Sequence, residues 1–165
     1  MNHGVVVWFT GLPASGKTTL ARHVRDQIAP RHPCAILDSD ELRIALGATA
    51  YDEASRAAFY RSVRALATLL ARQGIVVLVA ATAPRRDHRV FAQDNAPTVI
   101  EVYVRTSLEV CADRDPKGLY AAAGSDPGTT LPGVGEVFEP PLSPDVVAGG
   151  GEDAAAVDAI VELVR

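Results

Sequence analysis

The sequence predicts an α/β domain on a mainly parallel sheet with helices on both faces, and three observations carry that expectation. Short β-branched and aromatic runs alternate along the chain with segments of helical period. Those runs are apolar at consecutive positions, as strands covered on both faces are. The first run passes directly into a glycine-bearing turn and then a helix.

The elements follow in order. Val5 to Phe9 is the first buried strand, with Trp8 in the core. Leu20, Val24 and Ile28, with Thr19, His23 and Gln27, keep the period of a helix that Pro30 and Pro33 end. Cys34 to Leu37 is a short second strand running into Asp38-Ser39-Asp40. Residues 53 to 73 form one long helix whose buried face is marked by Ala54, Ala58, Val63, Leu66, Leu69 and Leu70. Gly74 closes it in the left-handed region. Ile75 to Ala81 is a third strand, Pro84 opens a further helix, and Thr98 to Val104 is a fourth strand. A helix capped by Ser107 follows, with Glu109 near its positive end, and an apolar helix from Ala154 to Val164 packs back on the sheet.

Residues 116 to 144 interrupt this alternation. They hold six of the eleven prolines and five of the thirteen glycines and show no sustained period. A segment of that length inside one domain reads as a functional lid. All 165 residues are therefore expected to form a single domain.

Composition removes several functional classes. Sixteen basic against twenty acidic residues give a net charge of −4, which argues against a nucleic-acid-coating surface. The longest apolar runs are too short to span a membrane, and the N-terminus has no signal-like pattern. Cys34 and Cys111 lie in no metal-ligand or disulfide pattern and read as small core residues. His3, His23, His32 and His88 show no metal spacing and read as surface residues. A soluble, cytoplasmic protein with a small-molecule substrate is expected. Only two basic residues are lysines, Lys17 and Lys117, and both lie in motifs.

Gly11-Leu12-Pro13-Ala14-Ser15-Gly16-Lys17-Thr18 matches GxxxxGK[ST]. Such a loop turns successive backbone N–H groups toward nucleotide phosphates, with the helix dipole behind them. Lys17 reaches the β- and γ-phosphates, and the Thr18 hydroxyl can ligate Mg²⁺. Gly11, Ala14, Ser15, Gly16, Lys17, Thr18 and Thr19 are therefore the expected nucleotide-binding residues, and the fold class is a P-loop NTPase fold with a long Gly/Pro-rich lid. No NKxD-type guanine signature occurs. The third strand ends in Ala80-Ala81-Thr82, and the carboxylates at a strand end are Asp38 and Asp40. A domain this small with a long lid reads as a small-molecule kinase.

Four segments resemble the adenylylsulfate (APS) kinases. Val7-Trp8-Phe9-Thr10-Gly11-Leu12 leads into the phosphate loop as in that family, and Leu37-Asp38-Ser39-Asp40-Glu41-Leu42-Arg43 resembles its LDGDNVR stretch. Glu109 to Tyr120 is nearly EVCxxRDPKGLY, and Glu139 to Pro144 is close to YEPPLNP. The resemblance implies transfer of the ATP γ-phosphoryl to the 3′-hydroxyl of APS, in sulfate assimilation. It implies Asp40 as the group that orients the attacking hydroxyl and helps organise Mg²⁺, with capping of the following helix as the plainer reading. It implies Arg43 and Arg56 on the anionic acceptor, Arg114 on the ATP adenine, Tyr51 on the acceptor's adenine, and Lys117 at the lid's entry. It leaves a homodimer open.

Departures concentrate on the acceptor side. Leu131 stands where the family has a second stacking aromatic, and Phe59 where it has an acceptor-contacting asparagine. Ser39 replaces the glycine of DGD, and Ala81-Thr82-Ala83-Pro84 replaces FISP. From Lys117 to Pro144 one lysine faces Asp126, Glu136 and Glu139, an acidic lid for an anionic acceptor. Arg85 and Arg86 read equally as anion contacts or as a solvated helix start. A relative phosphorylating another hydroxyl, and a nucleotide-binding switch without catalysis, stay open beside the APS kinase reading.

Overall fold

A computed structural model of the chain describes residues 4–91 and 96–165. Five strands form one sheet in the order β2-β3-β1-β4-β5, and every pairing is parallel. They are β1 (Val5–Thr10), β2 (Cys34–Asp38), β3 (Val76–Ala80), β4 (Thr98–Val104) and β5 (Val146–Ala148). The expected fold class is the observed one.

The pleat of β1 shows why the sheet is covered twice. Val7 and Phe9 enter a core with Leu20, Val24 and Ile28 of α1 (Lys17–Ile28) and Val157, Ile160 and Val161 of α6 (Ala154–Val164). Val6 and Trp8 point the other way, into a core with Phe59, Tyr60, Val63 and Ala67 of α3 (Glu53–Arg72). An all-apolar strand is the sequence form of this arrangement. Trp8 is buried as expected, packed edge-on against Phe91.

Five expectations need correction. The buried stripe of α3 is Arg56, Phe59, Tyr60, Val63, Ala67 and Ala71, while Ala54, Ala58 and Leu69 are exposed. The stripe is rotated because the helix's first turns bury site residues, two of them polar-bearing, rather than the small apolar ones. Among the described residues after Pro84 the expected helix is a 3-10 turn, Arg86–Arg89, whose last residue donates its guanidinium back to Ala83 O and Arg85 O. An additional helix, α2 (Ser39–Leu46), follows β2, capped by Asp38 and closed by Gly47 at φ 64°. The lid is not all loop: α4 (Leu108–Arg114) leads into α5 (Leu119–Gly124) inside it. The three-residue β5 follows the lid and pairs with β4. Ser107 does cap α4, accepting from Val110 N, and Gly74 adopts φ 84°. Among the described residues no helix is long and apolar enough to cross a membrane.

Candidate functional site

Parallel α/β sheets present their ligand crevice at the carboxyl ends of the strands. Here a cavity of about 670 Å³ lies at that edge, walled by the loop after β1, the β2–α2 corner, the start of α3 and the lid.

The loop after β1 is held from three sides. Ala14 and Gly16 adopt φ 63° and 103°, which turns the backbone around the anion position. Gly16 also passes so close to the segment after β5 that an added Cβ would lie 2.5 Å from Gly151 N. The Thr106 hydroxyl donates to Ser15 O at 2.7 Å, and the Tyr120 hydroxyl, from α5, donates to Pro13 O at 2.7 Å. Lys17 folds over the loop, its ammonium donating to Gly11 O at 3.0 Å and Leu12 O at 2.8 Å. Desolvation there lowers its pKa to about 8, against the opposing pull of Asp40 and Asp38. Ala14, Gly16, Lys17, Thr18 and Thr19 line the cavity, while Gly11 and Ser15 lie buried behind them.

Asp38 and Asp40 separate the two roles expected of Asp40. The carboxylate bonded to the Thr18 hydroxyl is that of Asp38, at 2.5 Å. Asp38 is also the residue that caps α2, accepting from Asp40 N and Glu41 N, so capping is not the work of Asp40. The Asp40 carboxylate instead meets the Lys117 ammonium, half-exposed on the cavity wall, a contact that raises the lysine pKa. A hydroxyl beside a carboxylate is a hard oxygen pair of the kind Mg²⁺ takes when phosphates and waters supply its other ligands. Thr18 and Asp38 fit that ion.

On the opposite wall two arginines are buried, Arg43 and Arg56. The Arg43 guanidinium lies 4.1 Å from the Tyr51 ring centre and 4.0 Å from that of Phe59, and donates to Ala48 O and Ala50 O. Two aromatic faces and two carbonyls thus hold a permanent cation in one place. Arg56 donates to Thr130 O of the lid at 3.1 Å. Tyr51 is half-exposed on the cavity, and Leu131 lines it. Phe59 is a correction. It is buried beneath Arg43 and does not line the cavity, so it supports the arginine rather than facing an acceptor. Tyr60, not singled out in the sequence, does line it, and its hydroxyl accepts from Ala83 N at 3.1 Å.

The acidic lid is neutralised from outside the cavity. Glu136 meets Arg85 at 3.2 Å, and Glu139 meets Arg86 at 3.6 Å. Arg86 further donates to Pro140 O, and Arg89 to Glu139 O. Arg85 and Arg86 are thus lid fasteners, and the lid carboxylate on the cavity is Asp126. His88 is another correction: it is buried against Tyr60 and accepts from Arg85 N, and burial among arginines lowers its pKa to about 4, so it is neutral. His23 pairs with Glu152 on the surface, and His3 lies outside the described residues. Cys111 is buried and Cys34 half-buried, and burial raises both thiol pKa values.

Arg114 stands at the boundary between this cavity and a second, shallower groove formed by Gly16, Thr19 and Gly149 to Asp153. Sequence reasoning missed the groove's far wall. Its signal was Gly149-Gly150-Gly151, which lets backbone approach the phosphate loop.

The family model for adenylylsulphate kinase matches residues 3–149. The adenylyl-sulfate kinase of Chloroflexus aurantiacus is 40% identical over 145 residues, covering 87% of this chain and 78% of the relative. That of a Synechococcus species is 37% identical over 166 residues, covering 98% and 94%. The Mycobacterium tuberculosis APS kinase, solved in complex with AMPPNP and APS, matches with a TM-score of 0.89 at 34% identity, over 99% of this chain and 98% of that one. The chain belongs to the adenylylsulphate kinase family.

Proposed function

We propose that this protein transfers the γ-phosphoryl group of ATP to the 3′-hydroxyl of adenylylsulfate, giving 3′-phosphoadenylylsulfate and ADP. The observation that carries the reading is one cavity with two differently built halves. A phosphate loop with Lys17 and the Thr18–Asp38 pair faces two buried arginines, Arg43 and Arg56, beside the half-exposed ring of Tyr51.

The nucleotide's phosphates occupy the loop, and its adenine lies in the groove between Arg114 and Gly149 to Gly151. Thr18 and Asp38 are the residues that would hold Mg²⁺. That ion would supply neutralisation of the phosphate charge. Arg43 and Arg56 receive the acceptor's phosphate and sulfate, and Tyr51 its adenine. The acceptor's 3′-oxygen then bonds to the γ-phosphorus as the bridging bond to ADP breaks. Its proton passes to the Asp40 carboxylate, and Lys117 turns from Asp40 to the acceptor's anionic group. The same reading includes a cytoplasmic setting in sulfate assimilation.

Because Lys17 titrates near pH 8, ATP binding should weaken above that pH: the neutral amine offers no charge to the triphosphate. An apparent Kd about tenfold higher at pH 9 than at pH 7 is expected by calorimetry. A Kd flat over that range contradicts the assignment.

A different acceptor alcohol is the second reading, and Leu131 favours it, since an aliphatic residue lines the cavity at the position where the resemblance implies a second stacking aromatic. A base–aromatic stack is worth about 1–3 kcal/mol, so Leu131→Phe should lower the KM for APS by roughly fivefold or more without changing that for ATP. Steady-state kinetics on both substrates check it. Incubation with γ-labelled ATP and a panel of alcohols separates the readings. Label on APS supports the proposal, and label on another alcohol alone, or on none, contradicts it.

A further inference from the structure

We propose that Arg85 is a positioning residue for the acceptor half of the site, clasping the lid turn to the start of α3 so that Arg56 and Leu131 keep their places. The inference rests on the APS kinase reading for its substrate but on geometry for its logic.

The Arg85 guanidinium uses two different edges. Its Nε donates to Glu136 on the lid at 3.2 Å, and a terminal nitrogen meets Glu53 in the first turn of α3 at 3.1 Å. A planar fork can hold two carboxylates on two elements at once, whereas a lysine offers a single point charge. Glu136 ends a tight turn whose other end is Leu131. The backbone N–H groups of Val134, Gly135 and Glu136 all converge on Leu131 O. Fixing Glu136 therefore fixes Leu131, which lines the cavity. One residue before it, Thr130 O accepts from Arg56, and Arg56 lies one turn along α3 from Glu53.

These contacts close a ring: Glu53, Arg85, Glu136, the turn, Thr130, Arg56 and back along α3. Among the described residues, opening it at Arg85 leaves the hydrogen bond from Arg56 to Thr130 O between the lid turn and α3, so Arg56 must then serve both lid and acceptor. Exposed ion pairs are individually weak, but Glu136 is only 24% exposed and the guanidinium is shared by two carboxylates. Coupling through a network of this kind is what double substitution detects.

The side chain can be removed without dismantling the 3-10 turn it precedes, because that turn uses the Arg85 backbone. Arg85 N donates to His88 Nδ1, and Arg85 O accepts from His88 N and Arg89. Arg86 and Arg89 still hold the lid's exit at Glu139 and Pro140.

The test uses the full chain with Arg85→Ala, Glu136→Ala and both together. Arg85→Ala should raise the KM for APS about five- to tenfold, with kcat, the KM for ATP and the melting temperature little changed. The double alanine variant should be no worse than either single one. Amide hydrogen exchange at 134–136 should quicken about tenfold in Arg85→Ala while the sheet's amides stay protected. This readout needs no substrate, so it judges the clasp even where the wild type makes no 3′-phosphoadenylylsulfate, an outcome that defeats the function reading alone. Unchanged exchange at 134–136 overturns the clasp. So does an unchanged APS KM beside an active wild type, or additive losses in the double variant.

Discussion

Lys17→Ala should abolish phosphoryl transfer, lowering kcat by about 10³-fold or more while the protein stays folded. One preorganised donor at developing charge is worth roughly 10²–10³ in rate, and a full cation on the transferring phosphoryl group is worth at least as much. Stability should not suffer. The Lys17 pKa falls from 10.5 in the unfolded chain to about 8 in the fold, so folding works against its charged form. Between those two values the unfolded chain holds the proton that the folded chain has released, and stability rises with pH there. The alanine variant should lack that rise and melt no lower than the wild type near pH 7. Calorimetric melts beside a turnover assay check both halves. Undiminished turnover, or a collapse of the fold, contradicts the role.

Asp40→Asn and Asp38→Asn should fail in different ways, although the two residues stand two apart. Asp40→Asn removes the group assigned the acceptor's proton and should lower kcat by about 10²–10⁴ with the ATP affinity intact. Asp38→Asn keeps the α2 cap, because asparagine caps a helix as well as aspartate, so the fold should hold. It removes the carboxylate beside Thr18, and the apparent affinity for Mg²⁺ should fall, with turnover partly restored at high Mg²⁺. Mg²⁺ titrations of kcat separate them. Equal responses of the two variants contradict the division of labour.

That division illustrates what a sequence does and does not make visible. The phosphate loop is legible because its chemistry is local: eight consecutive residues after a buried strand carry the whole signal. β1 and β3 are legible because two-sided burial leaves unbroken apolar runs, and β4 because Ile100, Val102 and Val104 alternate into the core. α2 is hidden because it buries so little that Ile44 is 84% exposed, leaving no apolar stripe to read. β5 is three residues long, and its place is set by pairing with a strand more than forty residues earlier. The stripe of α3 is misread at Arg56 because a buried arginine looks like a solvated one until its lid partner is known.

The lid's charge is the sharpest case. As a sequence, Glu136 and Glu139 make the lid acidic, hostile to an anionic acceptor. In the fold, Arg85 and Arg86, some fifty residues earlier, take up both carboxylates away from the cavity. Net charge along a segment does not say which way the charges face or what they meet.

The central claim is that this cavity joins ATP to adenylylsulfate at the 3′-hydroxyl. Its most direct test is a reaction of the wild-type protein with ATP, Mg²⁺ and adenylylsulfate, with the product isolated by chromatography and the phosphate located by ³¹P and proton NMR. The account predicts ADP and 3′-phosphoadenylylsulfate in equal amounts, with no product from Lys17→Ala. Adenylylsulfate recovered unchanged at millimolar concentration, or a phosphate at any other position, would contradict it.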